Sequence, residues 1–108
     1  MRVRAEAPFS VSVGDRAGAA RLRLTGRFDV VAVPALDEVI RETRHRDVVM
    51  DLGELTFMDG AAWVAVMAFE HRVRDWGGAF WVVNVRGRIR KIFELTETEY
   101  LLAEPISR

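Results

Sequence analysis

Polar and apolar residues alternate in two early stretches of the chain. In residues 9–13, FSVSV, and again in residues 20–25, ARLRLT, every second residue is apolar. This period of two predicts half-buried β-strands, and the segment 14–18 between them is rich in turn residues. The sequence therefore predicts an antiparallel hairpin at the start of the fold.

Later stretches have other periods. Helical spacing of apolar residues predicts three helices, at 34–45, 61–76 and 87–95. Short apolar runs rich in β-branched residues predict two more strands, at 48–52 and 80–85. Pro34 suits the first turn of its helix, and that helix is expected to end near His45. Strand, helix and strand at this spacing predict a βαβ unit with parallel pairing.

The helix predicted at 61–76 is unusual because its first half is apolar on all sides. No charged residue occurs between Ala61 and Phe69, whereas a surface helix normally has one apolar stripe. The best inward stripe consists of Ala62, Val66, Phe69 and Val73. Trp63 and Met67 lie beside this stripe, where they either complete the core or form an exposed patch for a partner.

Composition indicates one small domain, residues 1–108. Half of the 108 residues are hydrophobic and 30% are charged, which is ordinary for a globular protein. Sixteen acidic residues balance sixteen basic ones, so no overall field attracts nucleic acid or anionic lipid. The N-terminus lacks a signal peptide, and no run approaches the roughly 20 apolar residues of a membrane span. We expect a cytoplasmic protein with no nucleic-acid partner and no membrane insertion.

The sequence offers little for catalysis or metal binding. It has no cysteine, and His45 and His71 lie at or near polar helix ends without the spacing of a zinc site. The carboxylates Asp51, Glu54 and Asp59 gather around the strand at 48–52, but an acid–base pair among them is the less favoured interpretation. We predict a non-enzymatic protein with no catalytic residue, metal or cofactor.

A group of cations surrounds the start of the last predicted helix, at Arg86, Arg88, Arg90 and Lys91. The helix dipole is already positive there, so stacking cations is mildly unfavourable. A solvated basic face is the favoured interpretation. The alternative is a site for an anionic partner or a nucleotide phosphate.

Three segments together resemble the STAS domain, the module shared by sulfate transporters and bacterial anti-sigma factor antagonists. They are LRLTGRFDVVAVPAL, VVMDLGELTFMDGAAWVAVMAF and GGAFWVVNVRGRIRKIFELT. The resemblance spans about residues 9 to 102 in the same order of elements. It implies a single α/β domain with a mixed sheet of about four to five strands, an N-terminal antiparallel hairpin followed by parallel βαβ units. Three to four helices are expected mainly on one face.

The resemblance also implies a function. In this family a serine directly after the conserved Asp is phosphorylated by the partner, an anti-sigma factor that is a serine kinase with a histidine-kinase-like ATPase fold. The matching position here is Gly60, and Ala61 offers no hydroxyl either. The chain departs from the family pattern again at Ala62, Trp63 and Thr96-Glu97. We therefore expect an antagonist-like protein that is not phosphorylated at the usual position.

The predicted partner-binding residues are Asp29, Asp59, Gly60, Ala61, Trp63 and Met67. Asp59 is also a favoured helix N-cap, and a plain capping role is at least as well supported as a contact role. Thr56 is the nearest hydroxyl that offers an alternative phosphate acceptor, although an ordinary turn or strand residue is the favoured interpretation. The second functional hypothesis is a cytoplasmic STAS accessory subunit of a membrane-lipid ABC transporter. The oligomeric state stays open.

Overall fold

The computed structural model describes residues 2–6, 8–43 and 46–103 of the chain. Within these residues it contains six strands and three α-helices. The strands are β1 (Arg2–Glu6), β2 (Phe9–Arg16), β3 (Ala19–Phe28), β4 (Val48–Met58), β5 (Phe80–Val83) and β6 (Leu102–Ala103). The helices are α1 (Val33–Glu42), α2 (Gly60–Asp75) and α3 (Gly87–Leu95), with short 3₁₀ helices at Val30–Ala32 and Glu99–Leu101.

The strands form one mixed sheet whose spatial order follows the chain, from β1 to β6. β2 pairs antiparallel with β1 and β3, whereas β3, β4, β5 and β6 pair parallel in succession. The predicted hairpin is β2–β3. Its turn has Ala17 and Gly18 at φ 53° and 85°, the left-handed conformation that two-residue hairpin turns require. The mixed sheet with an N-terminal hairpin and parallel units is confirmed.

The sheet of the described residues has six strands rather than the predicted four to five, because both ends of the chain add to it. β1 pairs with β2, opposite the segment 9–13. Its sequence, RVRAE, has only one large apolar residue, Val3, so the apolar pattern does not predict a strand. β6 has two residues, which is too short for any period to be recognised.

β4 continues to Met58 instead of ending at Leu52. Its pairing with β3 shifts register twice, the first time between Arg23 and Thr25. Such bulges place extra residues on one strand and break the alternation of the two faces. The strand therefore extends beyond the apolar run that predicted it, up to the residue before Asp59.

One face of the sheet carries the hydrophobic core. Alternate strand residues, among them Leu22, Leu24, Met50 and Phe80, are buried there. The same cluster takes in side chains from all three helices, namely Leu36, Val39 and Ile40 of α1, the predicted stripe Ala62, Val66, Phe69 and Val73 of α2, and Phe93 of α3. The other face of β3 presents Arg21, Arg23 and Thr25. Packing of the helices mainly on one face is confirmed.

α1 begins at Val33, with Pro34 in its first turn as predicted, and ends at Glu42. Thr43 donates its backbone N–H and its hydroxyl to the carbonyl of Ile40, at 3.0 and 2.8 Å. These bonds close the helix before the predicted boundary. His45, where the helix was expected to end, lies outside the described residues.

The turn after α3 has a left-handed residue, Glu97, at φ 57°. The N–H of Thr98 donates to the carbonyl of Phe93 at 2.9 Å, the pattern of a Schellman C-terminus. Glycine suits this conformation best because it has no Cβ. Glu97 therefore adopts a backbone conformation that is strained for its residue type.

Candidate functional site

The carboxyl ends of β3 and β4 lie side by side at one edge of the sheet. The two strands are parallel, and Phe28 pairs with Met58. Asp29 and Asp59 are the next residues along each strand. The structure thus brings Asp29 and Asp59, the two carboxylates among the predicted partner-binding residues, to the same end of the molecule. We call residues 29–31 and 59–64 the junction surface.

Asp29 has structural contacts for both carboxylate oxygens. One oxygen accepts a hydrogen bond from the N–H of Val31 at 3.0 Å and caps the 3₁₀ helix Val30–Ala32. The other accepts from Arg27 Nε at 3.0 Å. The Arg27 guanidinium also lies 3.9 Å from the ring centre of Phe57. Asp29 therefore fixes the path of the chain after β3, and contact with a partner through it stays a prediction.

Asp59 is the N-cap of α2. Its carboxylate accepts a hydrogen bond from the N–H of Ala62 at 2.9 Å, and its extended backbone is typical of the cap position. The predicted cap is confirmed. Because the negative charge also lies at the positive end of the helix dipole, Asp59 stabilises the start of α2 in two ways.

Gly60 and Ala61 open α2 and are both exposed. A Cβ atom added to Gly60 would meet no heavy atom within 4 Å, and Gly60 does not have a positive φ. Neither sterics nor backbone conformation therefore requires glycine here. Gly60, the residue predicted to match the phosphorylated serine, is exposed, and that match stays a prediction.

Trp63 is half-buried and belongs to the edge of the core. Its indole N–H donates to the hydroxyl of Thr98 at 3.2 Å, and Thr98 is itself buried and lies 2.8 Å from the hydroxyl of Thr96. The indole thus links the first turn of α2 to the turn after α3. Met67 is likewise half-buried against the core. Both residues have a structural role, and their role as partner anchors stays a prediction for their exposed surfaces.

Three exposed valines at the junction surface were missed by sequence reasoning. Val30, Val31 and Val64 expose 65%, 63% and 58% of their surface. Val30 and Val31 follow Asp29 directly, and Val64 lies one turn after Gly60. The signal available in the sequence was the pair of adjacent valines, since two neighbouring side chains in a short turn rarely both point into a core. These valines expose a larger fraction of their surface than the half-buried indole does.

Asp51 lies on the sheet face away from the helices and is almost fully buried. One carboxylate oxygen accepts from Arg21 at 2.8 Å and the other from the N–H of Gly53 at 2.9 Å. Burial raises the pKa of Asp51, but hydrogen bonds from Gly53, Asn84 and Arg21, with the Arg21 charge, outweigh it and hold the pKa below its usual value. Asp51 is therefore ionised at neutral pH.

The other sequence-predicted candidates are dispersed. His71 is exposed on α2, 3.6 Å from Asp75, and Thr56 is exposed within β4. Asp59 caps a helix while Asp51 is held by arginine, so these two carboxylates do not share a proton. Of the basic cluster, Arg90 lies 3.5 Å from Glu94.

The described residues contain no group of three or more potential ligands placed to hold a metal ion. Within the same part of the chain, no helix is both long and apolar enough to cross a bilayer.

Comparison with known families decides the identity of the fold. A family model described as the STAS domain matches residues 11–107. The chain belongs to the STAS domain family. The resemblance predicted from the sequence is thereby confirmed. No curated protein matches the chain.

Solved structures of other proteins share this fold. An anti-sigma factor antagonist from Mycobacterium paratuberculosis is 23% identical, with a TM-score of 0.76 over 95% of this chain and 90% of that one. The anti-sigma factor antagonist SpoIIAA in its unphosphorylated form is 16% identical, with a TM-score of 0.73 over 90% and 89%. The phosphorylated form of the Bacillus cell fate determinant SpoIIAA is also 16% identical, with a TM-score of 0.71 over 90% and 92%. At these identities the likeness establishes the fold.

Proposed function

We propose that this STAS domain is a non-enzymatic, cytoplasmic binding protein that acts like an anti-sigma factor antagonist through its junction surface. The observation that carries the proposal is the exposed start of α2. There the uncovered Gly60 lies next to Ala61 and one turn from Val64. Exposed apolar groups bordered by polar residues are typical of protein-binding sites. The carboxylates of Asp29 and Asp59, which cap the two helices, keep the backbone of this surface in place.

The proposed partner is an anti-sigma factor of the kinase type, with a histidine-kinase-like ATPase fold. Support comes from the solved structures of similar fold, two of which are described above as anti-sigma factor antagonists. Further support comes from the small residues at the start of α2, because glycine and alanine allow another backbone to approach closely. Trp63 and Met67 contribute their exposed edges to the same surface.

We propose further that the usual phosphorylation switch is missing. A phosphoserine would add about −1.5 to −2 charges in the middle of the junction surface. Gly60 cannot accept phosphate, so the protein stays competent to bind and control lies with the partner. The open space around Gly60 supports the feasibility of the reverse change, because an added Cβ atom would meet no heavy atom within 4 Å.

The switch is tested by restoring the hydroxyl. Wild type, Gly60→Ser and the matched control Gly60→Ala are incubated with a kinase-type anti-sigma factor and ATP, and intact mass is measured. We expect one added phosphate on Gly60→Ser and none on the other two. A phosphate on the wild type at any residue of the junction, or at Thr56, would show that a different switch exists.

The docking surface is tested by binding measurements. Val64→Ser should weaken binding of the anti-sigma factor about fivefold to tenfold. Its side chain is exposed, so stability should change little. Trp81→Ala is the matched control, because Trp81 is 41% exposed on β5 and lies outside the junction surface. If Val64→Ser and Trp81→Ala weaken binding of the anti-sigma factor equally, the junction surface is not the docking surface.

Trp63→Ala separates the two roles of the indole. A binding hot spot predicts a loss of about 2 kcal/mol or more in affinity. A purely structural role predicts lower stability with affinity unchanged, because the hydrogen bond to Thr98 is lost. If affinity capture from cells recovers a transporter ATPase instead of a kinase-type anti-sigma factor, the transporter-subunit hypothesis replaces the proposed function.

A further inference from the structure

The sheet face away from the helices contains a cleft of about 550 Å³. β3 contributes Arg23 and Thr25, β4 contributes Asp51 and Glu54, and the segment after β5 contributes Asn84 and Arg86. Its volume is within the roughly 300–1,000 Å³ that small-molecule sites occupy. Ligands of open α/β sheets commonly bind toward the carboxyl ends of parallel strands, and Asn84 directly follows β5.

Two guanidinium groups in this cleft have unused hydrogen-bonding capacity. Asp51 is already neutralised by Arg21 at 2.8 Å, while Arg23 Nε is 3.8 Å from the same carboxylate. The Arg86 guanidinium has one long hydrogen bond, 3.4 Å to the carbonyl of Gly53. In the part of the chain that the structure describes, Arg86 has no carboxylate within ion-pair distance. An arginine carries five donors, so both side chains are able to bind an anion.

The base of the cleft is preorganised. Asn84 adopts a left-handed φ of 59°, and its side chain donates to Asp51. A Cβ added to Gly53 would lie 3.1 Å from the Cβ of Asn84 and 3.1 Å from an Asp51 oxygen. Asp51, Gly53 and Asn84 are therefore in close contact, and the arginines lie on either side of a fixed polar surface.

The lining also limits the chemistry of the ligand. Because Asp51 is paired with Arg21, the remaining charges of the cleft are the positive charges of Arg23 and Arg86 and the negative charge of Glu54. Their sum is one positive charge. A phosphate has three acceptor oxygens that two separate arginines can share, and Glu54 and Asn84 can bind hydroxyl groups. Among the described residues that line the cleft there is no aromatic or large aliphatic side chain on which a nucleobase could stack.

We propose that this cleft binds a small hydroxylated phosphate ester of the sugar-phosphate type. The assignment differs from the nucleotide site considered for the basic cluster, because only Arg86 of that cluster lines the cleft. The cleft also shares no lining residue with the junction surface, residues 29–31 and 59–64.

Isothermal titration with ribose 5-phosphate, inorganic phosphate and AMP tests the proposal. We expect ribose 5-phosphate to bind more tightly than inorganic phosphate. AMP should bind no more tightly than ribose 5-phosphate, because the cleft offers its base no stacking partner. Arg23→Gln and Arg86→Gln should each weaken binding of ribose 5-phosphate about tenfold or more, the usual loss for a charge-assisted hydrogen bond. The matched control Arg88→Gln removes an equal charge outside the cleft and should have little effect. Amide NMR signals of Gly53 and Asn84 should shift on titration.

Three results would overturn the proposal. The first is no heat and no amide shift with any of the three probes. The second is an equal loss of binding for Arg88→Gln and Arg86→Gln, which indicates non-specific attraction. The third is much tighter binding of AMP than of ribose 5-phosphate, which indicates a nucleotide site. Binding of the anti-sigma factor by the Arg23 and Arg86 variants should stay at the wild-type level, so the two proposals succeed or fail separately.

Discussion

Replacing Asp59 should reveal how far the junction surface depends on its helix cap. Asp59→Ala removes the hydrogen bond of 2.9 Å from the N–H of Ala62. Ala62 is fully buried, so water is poorly placed to replace the lost acceptor. Loss of a cap of this kind costs about 0.5–2 kcal/mol, and loss of the charge at the helix N-terminus adds about 0.3–1 kcal/mol. We expect a decrease of about 1.5 kcal/mol in the free energy of unfolding.

Asp59→Asn is the matched variant, because its amide oxygen still accepts from Ala62 while the charge is gone. It should lose only the dipole contribution, about 0.3–1 kcal/mol. Urea unfolding measures both changes as lower midpoints with unchanged slopes. The reasoning is refuted if alanine and asparagine destabilise equally, or if alanine leaves the midpoint where it was.

The same two variants distinguish a plain cap from a contact residue. If Asp59 only caps α2, Asp59→Asn should bind the anti-sigma factor as the wild type does. If the carboxylate also contacts the partner, Asp59→Asn should lose about tenfold or more in affinity while its stability is largely kept.

Two further predictions concern stability. Glu97→Gly should raise the free energy of unfolding by about 1 kcal/mol, because glycine adopts the left-handed conformation without a Cβ clash. Thermal unfolding should show a higher Tm for this variant. The control Glu97→Ala keeps the Cβ atom and should not raise the Tm. Because the folded-state pKa of Asp51 is lowered, its ion pair stabilises the fold above the unfolded pKa of about 3.9 and is lost as pH falls toward the folded value. The stability gap between wild type and Asp51→Asn, measured by urea unfolding, should therefore narrow as pH falls below about 4, and a gap that widens there would contradict the assignment.

The sequence predicts this fold well where one period continues over many residues. The hairpin β2–β3 and the inward stripe of α2 follow from periods of two and of about 3.6. β1 and β6 were missed because their pairing depends on backbone hydrogen bonds to neighbours and not on an apolar pattern. β4 was predicted too short because its bulged pairing with β3 interrupts the alternation.

The candidate site could be predicted only in part. Asp59 as a cap is a local property, since its partner is three residues away. The contact of Trp63 with Thr98 and that of Asp51 with Arg21 join residues 35 and 30 positions apart. Such contacts depend on how strands and helices are brought together, so periodicity does not reveal them. The hydrogen bond of the indole to Thr98 was therefore not predicted, and Val30 and Val31 were overlooked.

The unobstructed space at Gly60 has an evolutionary consequence. Because an added Cβ atom at Gly60 would meet no heavy atom within 4 Å, a single substitution there can add or remove a side chain without compensating changes in the neighbouring residues.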